Sequence, residues 1–117
     1  EKNMYNITTS EWFEKKSQLD DILNASNIYF APRASEGIGM GFLEAMARGM
    51  FVIANDLPTH NEYICNWVNG VLYDRANPCF VSLELAEKIG NMARSSAYRG
   101  YHQWINSIEV MKRFLLS

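Results

Sequence analysis

The fold is decided by residues 28–54, which read IYFAPRASEGIGMGFLEAMARGMFVIA. Two apolar runs, residues 28–31 and 51–54, enclose a glycine-rich turn and a helix-forming segment that ends at Gly49. The second run is continuous, as in strands that are buried on both faces of a parallel sheet. Pro32 ends the first strand because proline cannot donate a hydrogen bond to a ladder. We therefore predict a strand, a turn, a helix over 41–48 and a second strand.

The rest of the chain continues this alternation. We predict a weak strand over 4–8, a helix over roughly 10–25, a short helix over 61–67, a strand over 71–73, a helix capped by Ser82 and a separate last helix. The first helix is expected to bury four side chains, Trp12, Leu19, Ile22 and Leu23, and the last one six on a single face, Tyr101, Trp104, Ile105, Ile108, Met111 and Leu115. This pattern predicts an α/β fold, a Rossmann-like parallel sheet of three to four strands with flanking helices, in one domain over residues 1–117.

Composition excludes several classes of protein. The 117 residues are 48% hydrophobic and 21% charged, which is ordinary for a globular domain. A net charge of −2 without a basic cluster argues against a nucleic-acid partner. The apolar runs are far shorter than the roughly 18 residues of a membrane span, and no signal-peptide pattern is present. We expect a cytoplasmic protein, and because the first residue is Glu1 rather than Met, a piece of a longer one.

The cysteines and histidines do not indicate a metal site. Cys65 and Cys79 are isolated, without a CxxC spacing, and we expect two reduced thiols, with a disulfide left open. His60 and His102 are far apart and lack the spacing of metal ligands. His60 is expected to be an exposed loop residue.

The glycine-rich turn carries the chemistry. Glu36 and Glu44 flank seven residues that include Gly37, Gly39 and Gly41. Glycines allow a ligand to approach the backbone closely, and the N-terminus of the following helix favours an anion. Carboxylates accept hydrogen bonds from vicinal hydroxyls, so the turn suits a ligand that has phosphate at one point and hydroxyls at two others. The residues after neighbouring strands, 32–41 and 56–60, should meet at one edge of the sheet.

Residues 32–49, PRASEGIGMGFLEAMARG, resemble the E-x7-E signature of retaining GT-B glycosyltransferases, most closely the group 1, or family 4, branch. The strand at 51–54, then Asp56, Glu62 and the Asn69–Gly70 turn, follow in the order seen in that family. The resemblance covers about residues 17–95.

The resemblance implies that the chain is part of the C-terminal, nucleotide-sugar-binding domain of such an enzyme. Glu36 would be the catalytic-site carboxylate that holds hydroxyls of the transferred sugar, and Glu44 would hold the ribose. The segment Gly37, Ile38, Gly39, Met40 and Gly41 would meet the diphosphate and the sugar. A sugar would pass from a nucleotide sugar to an acceptor with retention of configuration, as in polysaccharide biosynthesis, and no metal or other cofactor is expected.

The implied partners are a nucleotide-sugar donor and an acceptor that is a glycan, a lipid or a small molecule. Peripheral membrane association of the full enzyme belongs to the same set of expectations. A truncated sheet also favours self-association of the chain through its exposed edge or face. The acceptor domain and the phosphate-clamping Arg and Lys of the family are missing from the sequence, so we expect these 117 residues alone to be inactive.

The sequence departs from the family pattern at three places. Arg33 stands where the family often has Ser, Gly41 where it often has Pro, and residues 57–60 where it commonly has a Gly-Gly pair. Two alternatives therefore stay open. One is a non-catalytic Rossmann-like nucleotide-binding or interaction module that has lost donor binding. The other, a dinucleotide fingerprint, is disfavoured because Phe42 stands where its third glycine should be.

Overall fold

Three short strands form one parallel sheet with helices around it. The computed structural model describes residues 4–74, 76, 78 and 80–117. Its elements are α1 (Lys16–Asn24), β1 (Ile28–Ala31), α2 (Met40–Ala47), β2 (Phe51–Asn55), α3 (His60–Tyr63), β3 (Val71–Tyr73) and α4 (Leu83–Leu116). The sheet order is β1-β2-β3, and both pairings are parallel. The predicted α/β fold with a Rossmann-like sheet and flanking helices is confirmed.

The central strand β2 is covered on both faces. Its side chains alternate, so that Val52 and Ala54 lie in a cluster with Phe42 and Met46 of α2. The alternate positions of β2 lie in a second cluster that includes Val71 of β3 and two residues of α4, Ala86 and Ile89. The continuous apolar run of β2 is thus explained by contact with helices on both sides.

Helix α2 ends in a Schellman motif that leads directly into β2. Gly49 adopts φ +78°, its N–H donates to the carbonyl of Met46, and the N–H of Met50 donates to the carbonyl of Ala45. The expected role of Gly49 at the helix end is confirmed. Helix α4 approaches this turn closely, because a Cβ at Gly90 would lie 2.3 Å from the carbonyl oxygen of Gly49.

The N-terminal segment differs from the prediction. Residues 4–8 are not a strand, and α1 begins only at Lys16, where the backbone N–H of Lys15 donates to Oε1 of Gln18 at 3.2 Å. Trp12, expected to face inward, is 95% exposed, and only Leu23 among the four expected side chains packs against the core. A helix over 10–15 would have no apolar surface to cover, and isolated helical turns are marginal in water.

The C-terminal residues form one helix rather than two. Helix α4 runs through Gly100, which does not interrupt it, and Ser82 caps its start as predicted, with Oγ accepting from the N–H of Leu85. The expected apolar face of the last helix is present but is mostly exposed, so its burial was predicted wrongly. Helix α3 is shorter than predicted and ends at Tyr63. Within the described part of the chain, no helix is long and apolar enough to cross a membrane.

Two glycines of α4 provide a matched test of this packing. We expect Gly90→Ala to destabilise the protein by about 1–3 kcal/mol, because the new methyl group would meet the backbone of Gly49. Gly100→Ala has open space around the new Cβ and should stabilise the protein by roughly 0.5–1 kcal/mol through helix propensity. Chemical denaturation of the two variants measures both values, and similar changes in the two would contradict the close α4–Gly49 contact.

Candidate nucleotide-sugar site

A cleft of about 470 Å³ lies at the carboxyl end of β1. Its lining comes from positions 29, 31–33, 36 and 38–42, which are the inner residues of β1, the loop that follows and the first turn of α2. Most of the residues predicted to bind a ligand therefore come together here. Gly37 is not among the lining residues, although it belongs to the same loop.

The glycine turn presents the free end of α2 to this cleft. Gly39 is the N-cap residue with φ +78°, a left-handed conformation that favours glycine, and no side chain of the described residues caps the helix. The first N–H groups of a helix have no acceptor within the helix, so those that follow Gly39 remain available to a ligand. Helix α2 begins at Met40, one residue before the predicted start, and its first turn holds no acidic residue.

Glu36 lies on the wall of the cleft. Its side chain is 18% exposed, and one carboxylate oxygen lies 3.9 Å from Nε of Arg33. Its carbonyl oxygen accepts a hydrogen bond of 3.1 Å from the hydroxyl of Thr59. Arg33, one of the departures from the family pattern, thus brings a positive charge to the cleft that the motif did not predict.

A second loop, after β2, holds the first one in place. The side-chain amide of Asn55 donates to the carbonyl oxygens of Pro32 and Arg33, both at 2.8 Å. Thr59, whose hydroxyl donates to Glu36, has φ +78°. The expectation that the loops after β1 and β2 lie side by side was correct, and these hydrogen bonds join them.

His60 is fully buried, so its assignment as an exposed loop residue was wrong. Its ring packs on Phe42 with the ring centroids 5.2 Å apart. Among the described residues, neither ring nitrogen has a hydrogen-bond partner. The turn at Thr59 directs the chain inward, and the apolar faces of the imidazole complete the core beneath the cleft. No pattern in the sequence indicates this burial, because the contact depends on the position of α2.

Glu44 lies one position farther along α2 than predicted, because the helix begins at Met40 rather than at Gly41. It is the fifth residue of the helix, beyond the first turn, and does not line the cleft. Its two carboxylate oxygens lie 3.9 Å from Nζ of Lys16 and 3.8 Å from Nη1 of Arg48. Arg48 also binds Asp20 at 2.7 Å, so Glu44 belongs to a network of charges between α2 and α1.

Tyr29 is a cleft residue that the sequence analysis missed. Its hydroxyl oxygen lies 2.5 Å from the position that a Cβ of Gly41 would occupy. Burial raises the pKa of the Tyr29 phenol above its usual value of 10.0, and the negative charge of Glu36 raises it further. Arg33 opposes this rise and Glu44 adds to it, so the hydroxyl lies within the influence of both carboxylates. Strand alternation could have indicated Tyr29, because it places Tyr29 on the same side of β1 as Ala31, and both residues line the cleft.

Two other cavities lack this combination of groups. A larger groove of about 860 Å³ lies between the end of α2 and the middle of α4, and its lining is mainly apolar. A third cavity of about 420 Å³ lies at the ends of β2 and β3, next to Asp56 and Asp74. Neither contains a glycine turn or the start of a long helix, whereas the cleft at β1 combines both features with the carboxylate of Glu36, and we therefore take it as the candidate site for a sugar phosphate.

Comparison with known proteins identifies the family of the chain. Residues 5–99 match the family described as glycosyl transferases group 1. The chain belongs to this family. A UDP-N-acetylglucosamine–peptide N-acetylglucosaminyltransferase GtfA subunit from Streptococcus parasanguinis is 35% identical over 72 residues, which cover 59% of this chain and 14% of the relative. The subunit of the same description from Streptococcus agalactiae is 30% identical over 101 residues, 83% of this chain and 20% of the relative.

The group 1 glycosyltransferase chain therefore spans a fifth or less of the length of these two relatives. No solved structure matches it. The predicted E-x7-E segment, residues 36–44, lies within the region that matches the family.

The phenol of Tyr29 predicts that the stability of this protein depends on pH. Because its pKa in the folded state is raised, folding favours the protonated form, and this contribution is fully present below pH 10.0 and lost as the pH rises through the folded-state pKa. The free energy of unfolding of the wild type should therefore fall more steeply above pH 10 than that of Tyr29→Phe. Denaturation series between about pH 9 and about pH 11 measure the two slopes, about one unit on each side of the usual phenol pKa. A Tyr29→Phe slope equal to that of the wild type would contradict the assignment.

Proposed function

We propose that the chain forms the donor-binding part of a retaining GT-B glycosyltransferase of family 4 type, which transfers a sugar from a nucleotide sugar to an acceptor. The observation that carries this proposal is the cleft at β1, where Glu36, the glycine turn and the uncapped start of α2 meet. Membership of the group 1 family supports glycosyl transfer. Both relatives are named for UDP-N-acetylglucosamine and a peptide, so these are the first donor and acceptor to test.

In the proposed complex the diphosphate lies against the free N–H groups at the start of α2. Backbone N–H groups and the helix dipole stabilise the negative charge that develops on the departing diphosphate. Because these groups do not have to reorganise during the reaction, they lower its barrier without a metal ion. The guanidinium of Arg33 adds positive charge on the same wall of the cleft.

The two carboxylates accept hydrogen bonds from hydroxyl groups of the nucleotide sugar. Glu36, on the cleft wall, binds hydroxyls of the transferred sugar, and Glu44 binds the ribose. Glu44 must exchange part of its contact with Lys16 and Arg48 for ribose hydroxyls, and both ion pairs are long and partly exposed, so this exchange costs little.

One observation favours a second candidate function. The carboxylate of Glu44 lies in a charge network with α1 and outside the cleft lining, as expected for a group with a purely structural role. A non-catalytic module that has kept the fold and lost donor binding would look the same. Calorimetric titration of the intact protein with UDP and UDP-N-acetylglucosamine separates the two candidates, because the non-catalytic module takes up neither.

Replacement of Glu44 tests the ribose assignment. Glu44→Ala should weaken the binding of UDP and UDP-N-acetylglucosamine alike, by about 10- to 100-fold, because both contain the ribose and a charge-assisted hydrogen bond is worth roughly 1.5–3 kcal/mol. Dissociation constants are measured by calorimetry on the intact protein. Glu109→Ala removes another ion-paired glutamate, on α4, and should bind both ligands like the wild type. Equal affinities of Glu44→Ala and the wild type would rule out the ribose contact.

Replacement of Glu36 tests the sugar contact. Glu36→Gln should lower kcat by about 10- to 100-fold and leave the affinity for free UDP nearly intact, because free UDP lacks the transferred sugar. The assay follows both transfer and donor hydrolysis in the intact protein. Glu84→Gln, on the first turn of α4, is the matched control and should keep wild-type turnover. Wild-type turnover in Glu36→Gln would mean that this carboxylate only supports the loop.

A further inference from the structure

The space beside Gly41 is filled by a hydroxyl group of another residue. A Cβ at position 41 would lie 2.5 Å from the hydroxyl oxygen of Tyr29 and 3.5 Å from the ring carbon that carries it. The first distance is shorter than any real Cβ contact, whereas the second is ordinary van der Waals contact. A side chain at position 41 is therefore incompatible with the hydroxyl of Tyr29 but compatible with its ring.

This contact accounts for a departure from the family pattern. The resemblance predicts Pro at position 41, and any residue other than glycine there would push the Tyr29 hydroxyl out of its place. Gly41 has no positive φ, so the backbone conformation does not require a glycine. The requirement comes from the hydroxyl, which occupies the surface where the first turn of α2 meets the cleft.

We propose that the Tyr29 hydroxyl is a donor-binding group that donates a hydrogen bond to an oxygen of the diphosphate, and that Gly41 is needed to make room for it. This inference rests on the proposed function, since it assigns a further contact in the same cleft.

The chemistry of the cleft favours an uncharged hydrogen-bond donor beside the diphosphate. Glu36 and Glu44 both lie close enough to raise the pKa of the phenol, and their charges would repel a diphosphate. A protonated phenol can face a phosphate oxygen without a negative charge of its own, and burial helps to keep Tyr29 protonated. The carboxylates accept hydrogen bonds from hydroxyl groups of the sugars, while the phenol donates a hydrogen bond to the phosphate. The two kinds of group therefore bind different parts of one ligand.

A double-mutant cycle on the intact protein tests the proposal. Tyr29→Phe should weaken UDP binding by about 10- to 100-fold, because the lost hydrogen bond is to a charged phosphate oxygen and such a bond is worth roughly 1.5–3 kcal/mol. Gly41→Ala should weaken it at least as much, because the methyl group displaces the hydroxyl. In the double variant the methyl meets only the ring carbon at ordinary distance, so its affinity should equal that of Tyr29→Phe alone. Tyr98→Phe, an exposed tyrosine of α4, should bind UDP like the wild type.

Measuring Glu44→Ala in the same series separates a failure of the Tyr29 inference from a failure of the proposed function. If Tyr29→Phe binds UDP like the wild type while Glu44→Ala does not, the present inference is wrong and the proposed function stands. If the wild type binds UDP and neither variant changes that binding, the present inference and the ribose assignment of Glu44 are both wrong. If the wild type takes up no UDP, the proposed function is wrong as well. Additive losses in the cycle would overturn the link between Tyr29 and Gly41, and thermal unfolding of Tyr29→Phe close to that of the wild type would show that a loss of affinity is not a loss of folding.

Discussion

Phe42 holds the glycine-rich turn against the rest of the chain. A Cβ at Gly39 would lie 2.0 Å from a ring carbon of Phe42, so the ring occupies the space where a side chain of the N-cap residue would be. The same ring is 2% exposed and packs on His60 and, edge to face at 6.0 Å, on Tyr63. One buried aromatic side chain therefore joins the start of α2 to α3, and the shape of the cleft depends on it.

Local signals in the sequence account for the central part of the fold. The strands at 28–31 and 71–73 were predicted to the residue, and α2 and β2 to within one residue, because a buried apolar run, a glycine at the helix end and a proline after the strand are strong local constraints. The errors lie where packing decides. The helix predicted over roughly 10–25 does not begin before Lys16 because nothing covers the segment that precedes it. Gly100 did not end α4 because a single glycine costs a helix only about 1 kcal/mol. Cys79, expected to be a reduced thiol, lies outside the described residues.

The candidate site was predictable only in part. The turn with Glu36 and the glycines was visible because its residues are adjacent in sequence. Tyr29, Thr59 and His60 were not, because they reach the cleft or its support through strand alternation and through a second loop. Glu44 illustrates the opposite case, in which a residue that is conspicuous in the motif takes part in a charge network outside the cleft. The pair with Arg48 follows from the i,i+4 spacing, whereas the pair with Lys16 depends on how α1 lies against α2.

Thr59 has a consequence for how the cleft keeps its shape. A β-branched residue at φ +78° is strained, at a cost of about 1–3 kcal/mol, and persists only when its surroundings favour that conformation strongly. Its surroundings here are the hydrogen bond from its own hydroxyl to Glu36 and the burial of the neighbouring His60. If the loop of Glu36 moved away, Thr59 would lose the contact that compensates its strain, and the second loop would relax as well. The loops after β1 and β2 should therefore move together. A ligand that draws Glu36 inward would also tighten the turn at Thr59, although the ligand itself does not contact that turn.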